Sequence, residues 1–184
     1  MVGVVVAMVF ALGWLPLHFF RAEAVAEALP FYDRRERWWV RFSVTIISLH
    51  VSAACVTLSW LPVVPLGRAV LGLTVFGAAI AFWFWGRVQI GPLRRTRLPD
   101  EPPHRLRRDG AFGIVRHPLY FSYLLAAAAP LAIVPRAPFL LTFALCCTAL
   151  AMRAAQEEHR LRAQLGTPYE AYCREVKRLI PFVW

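Results

Sequence analysis

The residues best equipped for chemistry lie in two short stretches of the chain. One is Arg116-His117-Pro118-Leu119-Tyr120. Proline suits the first turn of a helix, so Arg116 and His117 are expected at that helix's amino end. Unpaired backbone N–H groups and the helix dipole there favour an anionic ligand group. The other stretch is Arg153-Ala154-Ala155-Gln156-Glu157-Glu158. Arg153 and Glu157 are four residues apart and share one helix face. If the two stretches meet, one His, one Tyr, one Arg and one Glu frame a polar pocket. Plainer duties exist for the same residues: Arg116 on a lipid phosphate, His117 capping a loop, Tyr120 as an interfacial aromatic. Arg153 and Glu157 would then form a surface ion pair worth about 0.3 to 0.5 kcal/mol. Arginine on the amino side is the weaker order for such a pair, which favours separate duties.

The elements that must position these residues belong to an apolar chain. Of 184 residues, 59% are hydrophobic, 14% aromatic and 17% charged, more grease than a soluble core of this size can hide. Twenty-one basic residues against 11 acidic ones give a net charge of +10, and every basic residue except Lys177 is arginine. A basic, apolar chain points to a membrane and away from nucleic acid. The scarcity of polar low-complexity sequence excludes disorder. Cys55, Cys146, Cys147 and Cys173 have neither CxxC nor Cys/His spacing, so they read as small structural hydrophobes and no metal is expected. No Gly-x-Gly-x-x-Gly follows a strand, which excludes soluble dinucleotide folds.

Crossing about 30 Å of hydrocarbon takes roughly 20 helical residues. The fold class expected is therefore all-α, a polytopic membrane protein with about five spans. These are Met1 to Phe20, Phe42 to Leu61, Leu66 to Trp85, Leu119 to Val134 and Ala137 to Met152. The first lacks a basic n-region and a small-residue cleavage site and reads as a retained helix. In the third, Gly67, Gly72, Gly77, Ala78 and Ala79 permit close helix contact. The last two form a tight hairpin over Pro135 and Arg136, and each needs helical continuation beyond the hydrocarbon.

Segments 21–41, 87–118 and 153–184 contain all 11 acidic residues and every basic residue but Arg68 and Arg136. Basic residues accumulate in cytoplasmic loops, so the amino terminus is expected outside, with the active site and carboxyl terminus cytoplasmic. The chain divides into three amino-terminal spans over 1–86 and a catalytic membrane region over 87–184. The latter holds a loop from Arg87 to His117, the hairpin at 119–152 and a helical tail. Pro92, Pro99, Pro102 and Pro103 argue against a continuous helix in that loop, and Asp109-Gly110 marks a turn. The amphipathic tail from His159 to Trp184 is expected to lie on the bilayer surface, with service as a lid a lesser option.

The residues from His104 through Gly110, then Arg116-His117-Pro118-Leu119-Tyr120, then Glu157-Glu158 and Leu161, and finally Leu165-Gly166, Tyr169, Tyr172, Val176 and Ile180-Pro181, resemble the isoprenylcysteine carboxyl methyltransferase family and its phospholipid-methyltransferase relatives. The resemblance covers roughly residues 85 to 184. It implies an integral membrane enzyme using S-adenosylmethionine, with a lipophilic acceptor entering from the bilayer. It places cofactor contacts on His104, Leu106, Arg107, Phe112, His117, Pro118, Leu119, Tyr120 and Glu157, and a substrate-binding and catalytic role on Arg153. Phe112 stands where the family usually has tyrosine, and Ser122 where glycine is common. Whether Gln89 reaches the site is left open.

These residue types suit methyl transfer, in which the donor's positive charge disappears and the protein mainly positions two reactants and keeps water out. Glu157 suits ribose hydroxyls or an ammonium, His117 a carboxylate, and the rings of Phe112 and Tyr120 adenine or a sulfonium. Arg153 suits an acceptor carboxylate, so an isoprenylcysteine-like acid is the first expectation. The alternatives are phospholipid or amine N-methylation, an NADPH-dependent reductase of the sterol-reductase type, and a non-catalytic membrane adaptor.

Overall fold

The computed structural model describes residues 34–60, 63–95 and 106–184, together with Val5, Ala7, Met8 and Ala11. The expected first span, apart from those four residues, and the expected cofactor contact His104 lie outside the described residues. Among the described residues six helices are delimited, in order: α1 (Arg34–Trp60), α2 (Leu66–Arg95), α3 (Ala111–Ile114), α4 (Pro118–Ile133), α5 (Ala137–Leu165) and α6 (Thr167–Glu175). Among the described residues the one β contact outside helices is an isolated parallel bridge between Val115 and Lys177. The described residues are thus all-α.

Within α2 and α5, Leu66–Ile90 and Ala137–Leu165 are long and apolar enough to cross a membrane. Thr45–Trp60 and Pro118–Ile133 are shorter apolar helices. The 16 residues of α4 rise about 24 Å, short of the roughly 30 Å hydrocarbon layer. It gains no helical continuation, because the chain turns at Val134, whose ψ is 87°. By contrast α5 runs on past Met152 to Leu165 and stops at Gly166 in a positive-φ conformation (φ 59°).

Prolines set where these helices begin. Pro118 and Pro138 occupy first turns, where the missing N–H costs nothing. The most extensive packing is antiparallel, between α2 and α4. At one end a Cβ on Gly72 would overlap the Ile133 side chain; at the other, a Cβ on Gly86 would lie 3.3 Å from Leu119. The absent side chains thus let the two backbones approach along α4. Open space surrounds Gly67 and Gly77. Phe76, Ala79 and Trp83 of α2 join Ala126, Ala129 and Ile133 of α4 and Ile47, Val51 and Leu58 of α1 in one buried cluster. Polar groups stitch it: buried His50 of α1 meets the Thr142 hydroxyl of α5 at 2.6 Å and the Ala127 carbonyl of α4 at 2.9 Å. Leu49, Val56, Leu71, Leu140, Leu141 and Leu145 stay exposed around the bundle.

Two expectations are corrected. The loop expected from Arg87 begins later, because α2 continues through Pro92 to Arg95. A proline removes one intrahelical bond, and tertiary contacts hold the extension: Gln89 takes the Ala111 N–H on its Oε1 at 3.0 Å and the Arg107 guanidinium on its carbonyl. The tail does not lie free on a bilayer. Its Tyr169, Tyr172, Val176 and Leu179 are buried in the protein, the first three in a cluster with Leu106 of the loop. Of its large apolar side chains, those exposed are at the tip, Ile180 and Phe182 to Trp184.

Candidate active site

The site forms where the chain enters α4, the carboxyl half of α5 passes, and the tail returns. Gly110, at φ 59° and ψ −129°, turns the chain into the single turn of α3. That conformation needs glycine, and a Cβ there would also strike Gln89. Val115 then runs extended. The Arg116 N–H donates to the Lys177 carbonyl at 2.8 Å, and the His117 N–H to the Arg178 carbonyl at 3.2 Å. Loop and tail are therefore fastened side by side before α4 starts.

Helical spacing brings Arg153 and Glu157 to one face of α5, opposite the first turn of α4. Arg153 Nε donates to Tyr120 Oη at 2.7 Å, and that hydroxyl donates to Glu157 Oε2 at 2.8 Å. The same carboxylate oxygen lies 3.6 Å from His117 Nδ1. The His117 and Tyr120 rings stack at 5.3 Å with 9° between their planes, and the Arg153 guanidinium carbon sits 5.5 Å from the Tyr120 ring centre. Arg153 and Glu157 thus meet through the tyrosine hydroxyl.

One residue further on, Glu158 is wholly buried and saturated. Arg116 gives it Nε at 2.9 Å and Nη2 at 2.8 Å. Arg178 pairs in bidentate fashion, Nε to Oε1 at 3.0 Å and Nη2 to Oε2 at 2.9 Å. Arg162 adds a contact at 3.3 Å and His117 Nε2 another at 3.3 Å. Arg116 also donates to the Cys173 and Val176 carbonyls of the tail. Burial alone would lower the His117 pKa, but the two glutamates, Glu158 accepting from Nε2 and the Glu157 carboxylate 3.6 Å from Nδ1, outweigh it and raise the pKa above the ordinary value. The imidazolium form is favoured.

Of the residues singled out in the sequence, His117, Tyr120, Arg153 and Glu157 converge here. Pro118 and Leu119 instead turn toward α2, with atoms within 3.5 Å of a Cβ position on Gly86. Leu106 joins the tyrosine cluster of the tail. Arg107 is held by Asp109 at 3.0 Å and by Gln89, and the Phe112 carbonyl accepts from the Tyr172 hydroxyl at 2.6 Å. Ser122 is buried, its hydroxyl bonded to the Leu119 carbonyl at 2.7 Å. Gln89 reaches the loop and braces it. Arg116 serves Glu158, so its charge is spent inside the protein.

Sequence reasoning missed Glu158 and its partner Arg178. A signal existed: Glu157 and Glu158 are the only acidic residues between Gly110 and Tyr169, so the surplus arginines nearby had few carboxylates to choose from.

The donor set fits a cationic nucleoside-sulfonium ligand. The Glu157 side chain is 42% exposed while Glu158 is 0% exposed, leaving one carboxylate within a ligand's reach beside a stacked aromatic pair. Among the described residues no group of three or more His, Cys, Asp or Glu could hold a metal ion.

A methanethiol S-methyltransferase from Pseudomonas sp. (strain GM41(2012)) is 27% identical over 171 residues, covering 79% of this chain and 64% of that protein. The chain therefore spans less than two thirds of that relative's length. No solved structure matches it. The sequence model of the isoprenylcysteine carboxyl methyltransferase family matches residues 70–163, just over half of the chain and the whole of α4 and the Arg153–Glu158 turn. By that match the chain belongs to the isoprenylcysteine carboxyl methyltransferase family.

Proposed function

We propose that the chain is an S-adenosylmethionine-dependent methyltransferase working in a membrane on an apolar acceptor, and that the acceptor reacts as an anion, a thiolate. The observation that carries this reading is the line Arg153–Tyr120–Glu157, closed by His117. S-adenosylmethionine, when bound, supplies an electrophilic methyl group on a sulfonium. The half-exposed Glu157 carboxylate suits the ligand's ammonium or ribose hydroxyls, and the stacked His117 and Tyr120 faces suit adenine or a positive sulfur. Arg153, fixed by its bond to Tyr120, places positive charge where an acceptor arrives and favours a thiolate over its thiol. The burial around Tyr169, Tyr172 and Leu179 keeps water from the loop side, which matters when the reacting charges cancel.

The thiol reading is supported by the name of the Pseudomonas relative and by the commitment of Arg153 Nε to Tyr120. A carboxylate acceptor of the isoprenylcysteine kind is the second reading, supported by the family's name. Bidentate pairing would then have to use the two terminal nitrogens of Arg153. An amine acceptor is disfavoured, because it would bring a cation beside a guanidinium. The weight of basic residues in 87–118 and 153–184 supports a cytoplasmic site with the amino terminus outside.

The test is transfer of labelled methyl from S-adenosylmethionine by the detergent-purified protein, to methanethiol and to N-acetyl-S-farnesylcysteine in parallel. Labelled dimethyl sulfide is the expected product. Label on the farnesylcysteine alone would replace the thiol reading with the carboxylate one. Consumption of NADPH without methyl transfer would overturn both.

A further inference from the structure

We propose that the bundle end remote from Glu157 carries a phosphate-binding site for the headgroup of an anionic phospholipid, built on Arg68 and Arg136. The two residues are brought together from different connections. Arg68 lies in the first turn of α2 and Arg136 is the residue before α5. Both line one cavity of about 330 Å³, whose walls include Val64, Ile133 and Val134, within the usual size of small-ligand sites. The whole of α4, about 24 Å by its 16 residues, separates this cavity from His117.

Charge makes the cavity specific. Segments 42–86 and 119–152 hold no acidic residue, and their only arginines are these two. At the Glu158 end arginines are matched to a carboxylate; here neither arginine forms an ion pair among the described residues. Two arginines in the wall of one cavity concentrate positive charge there with no carboxylate to offset it, and a bound anion would supply that offset while accepting from both. The depth selects the source of the anion. Both arginines sit where the apolar stretches of α2 and α5 begin, which is headgroup depth for a helix that crosses a bilayer. Val63 of the cavity wall is 76% exposed, and Trp60 and Leu66, close to it in sequence, are 83% and 74% exposed, an apolar surface fitted to acyl chains. A phospholipid satisfies both parts, and inorganic phosphate only one.

The experiment is native mass spectrometry of the whole chain in detergent with added phosphatidylglycerol or phosphatidylcholine, with inorganic phosphate tested by thermal shift. The wild type should retain phosphatidylglycerol at least about tenfold better than phosphatidylcholine, a difference near 1.4 kcal/mol, and show no shift with millimolar phosphate. Arg68→Gln with Arg136→Gln should abolish the preference, while the Lys replacements and Arg174→Gln, at an exposed position of α6, should keep it. Methyl transfer should be unchanged in the double Gln variant, so the outcome is independent of the proposed function. Equal retention of the two lipids, an undiminished preference in the double variant, or protection by phosphate alone would each overturn the proposal. If the Gln pair fails to fold, loss of the preference in the folded Lys variants would overturn it too.

Discussion

Glu157 and Glu158 are consecutive residues of one helix, about 100° apart around its axis, and they inhabit opposite environments. Glu158 is sealed from solvent under three arginines and an imidazole that tie the loop before α4, the helix α5 and the tail together. Glu157 faces a tyrosine hydroxyl and the other imidazole nitrogen and keeps 42% of its side chain exposed. The contrast separates holding from binding. A carboxylate whose acceptor positions are filled inside the protein has nothing left for a ligand, whereas one that is partly filled and open can take an ammonium or a pair of hydroxyls.

The largest expected effect comes from breaking the closed half. Glu158→Ala leaves the buried Arg116 and the partly buried Arg178 without their carboxylate and should cost about 3 to 5 kcal/mol. It should be read as a fall in thermal midpoint together with rapid proteolysis within 166–184. A variant that melts like the wild type with its tail intact would end the assignment of Glu158 as the fastener. Next in size, Glu157→Gln removes a charge from the open half and should weaken S-adenosylhomocysteine by roughly 30-fold, about 2 kcal/mol by calorimetry. Its melting should stay near that of the wild type, and a loss of fold without a loss of affinity would reverse the roles of the two glutamates.

Tyr120→Phe keeps the stacked ring but deletes the hydroxyl between Arg153 and Glu157. A drop of about tenfold in kcat, equivalent to about 1.4 kcal/mol, with cofactor affinity nearly unchanged would show that this hydroxyl aims Arg153 at the acceptor. The smallest effect is a pH slope at the seam between the halves. His117 contacts Glu157 and Glu158, stacks on Tyr120 and lies next to Arg116. Its folded-state pKa is raised, so its contribution to stability is complete below the ordinary histidine value near 6.5 and is lost as pH rises through the raised value. Thermal midpoints measured upward from pH 6 should fall more steeply for wild type than for His117→Gln. Parallel slopes would show that the imidazole carries no extra proton in the fold.

The legible parts of the site are those set by local rules. Pro118 marks the start of α4, the four-residue interval puts Arg153 and Glu157 on one face, and the short connection over Pro135 returns α5 beside α4. Where distant segments compete for the same partner, local rules are silent. Arg116 has the same features whether it meets a lipid phosphate or Glu158, and the choice depends on Arg178 arriving from 62 residues away in sequence. Pro92 misleads for a related reason: its local penalty is real, but contacts from Arg107 and Ala111 to Gln89 outweigh it. The tail misleads as well, since an amphipathic face reads alike whether it covers a bilayer or Leu106.

What the sequence determined by itself is the solvent and the inventory: a chain this apolar and this rich in arginine belongs to a membrane, and the order of its motifs carries the family. Helix periodicity and proline chemistry are short-range, so they also settled which residues share a face. Only the tertiary structure decided which carboxylate is sealed and which stays open, that α2 rather than α5 is the main support of α4, and that Arg68 and Arg136 line one cavity. Those outcomes depend on burial and on pairing between segments far apart in the chain, and charge and hydrogen-bond energies acquire their sign only once the partners are in place.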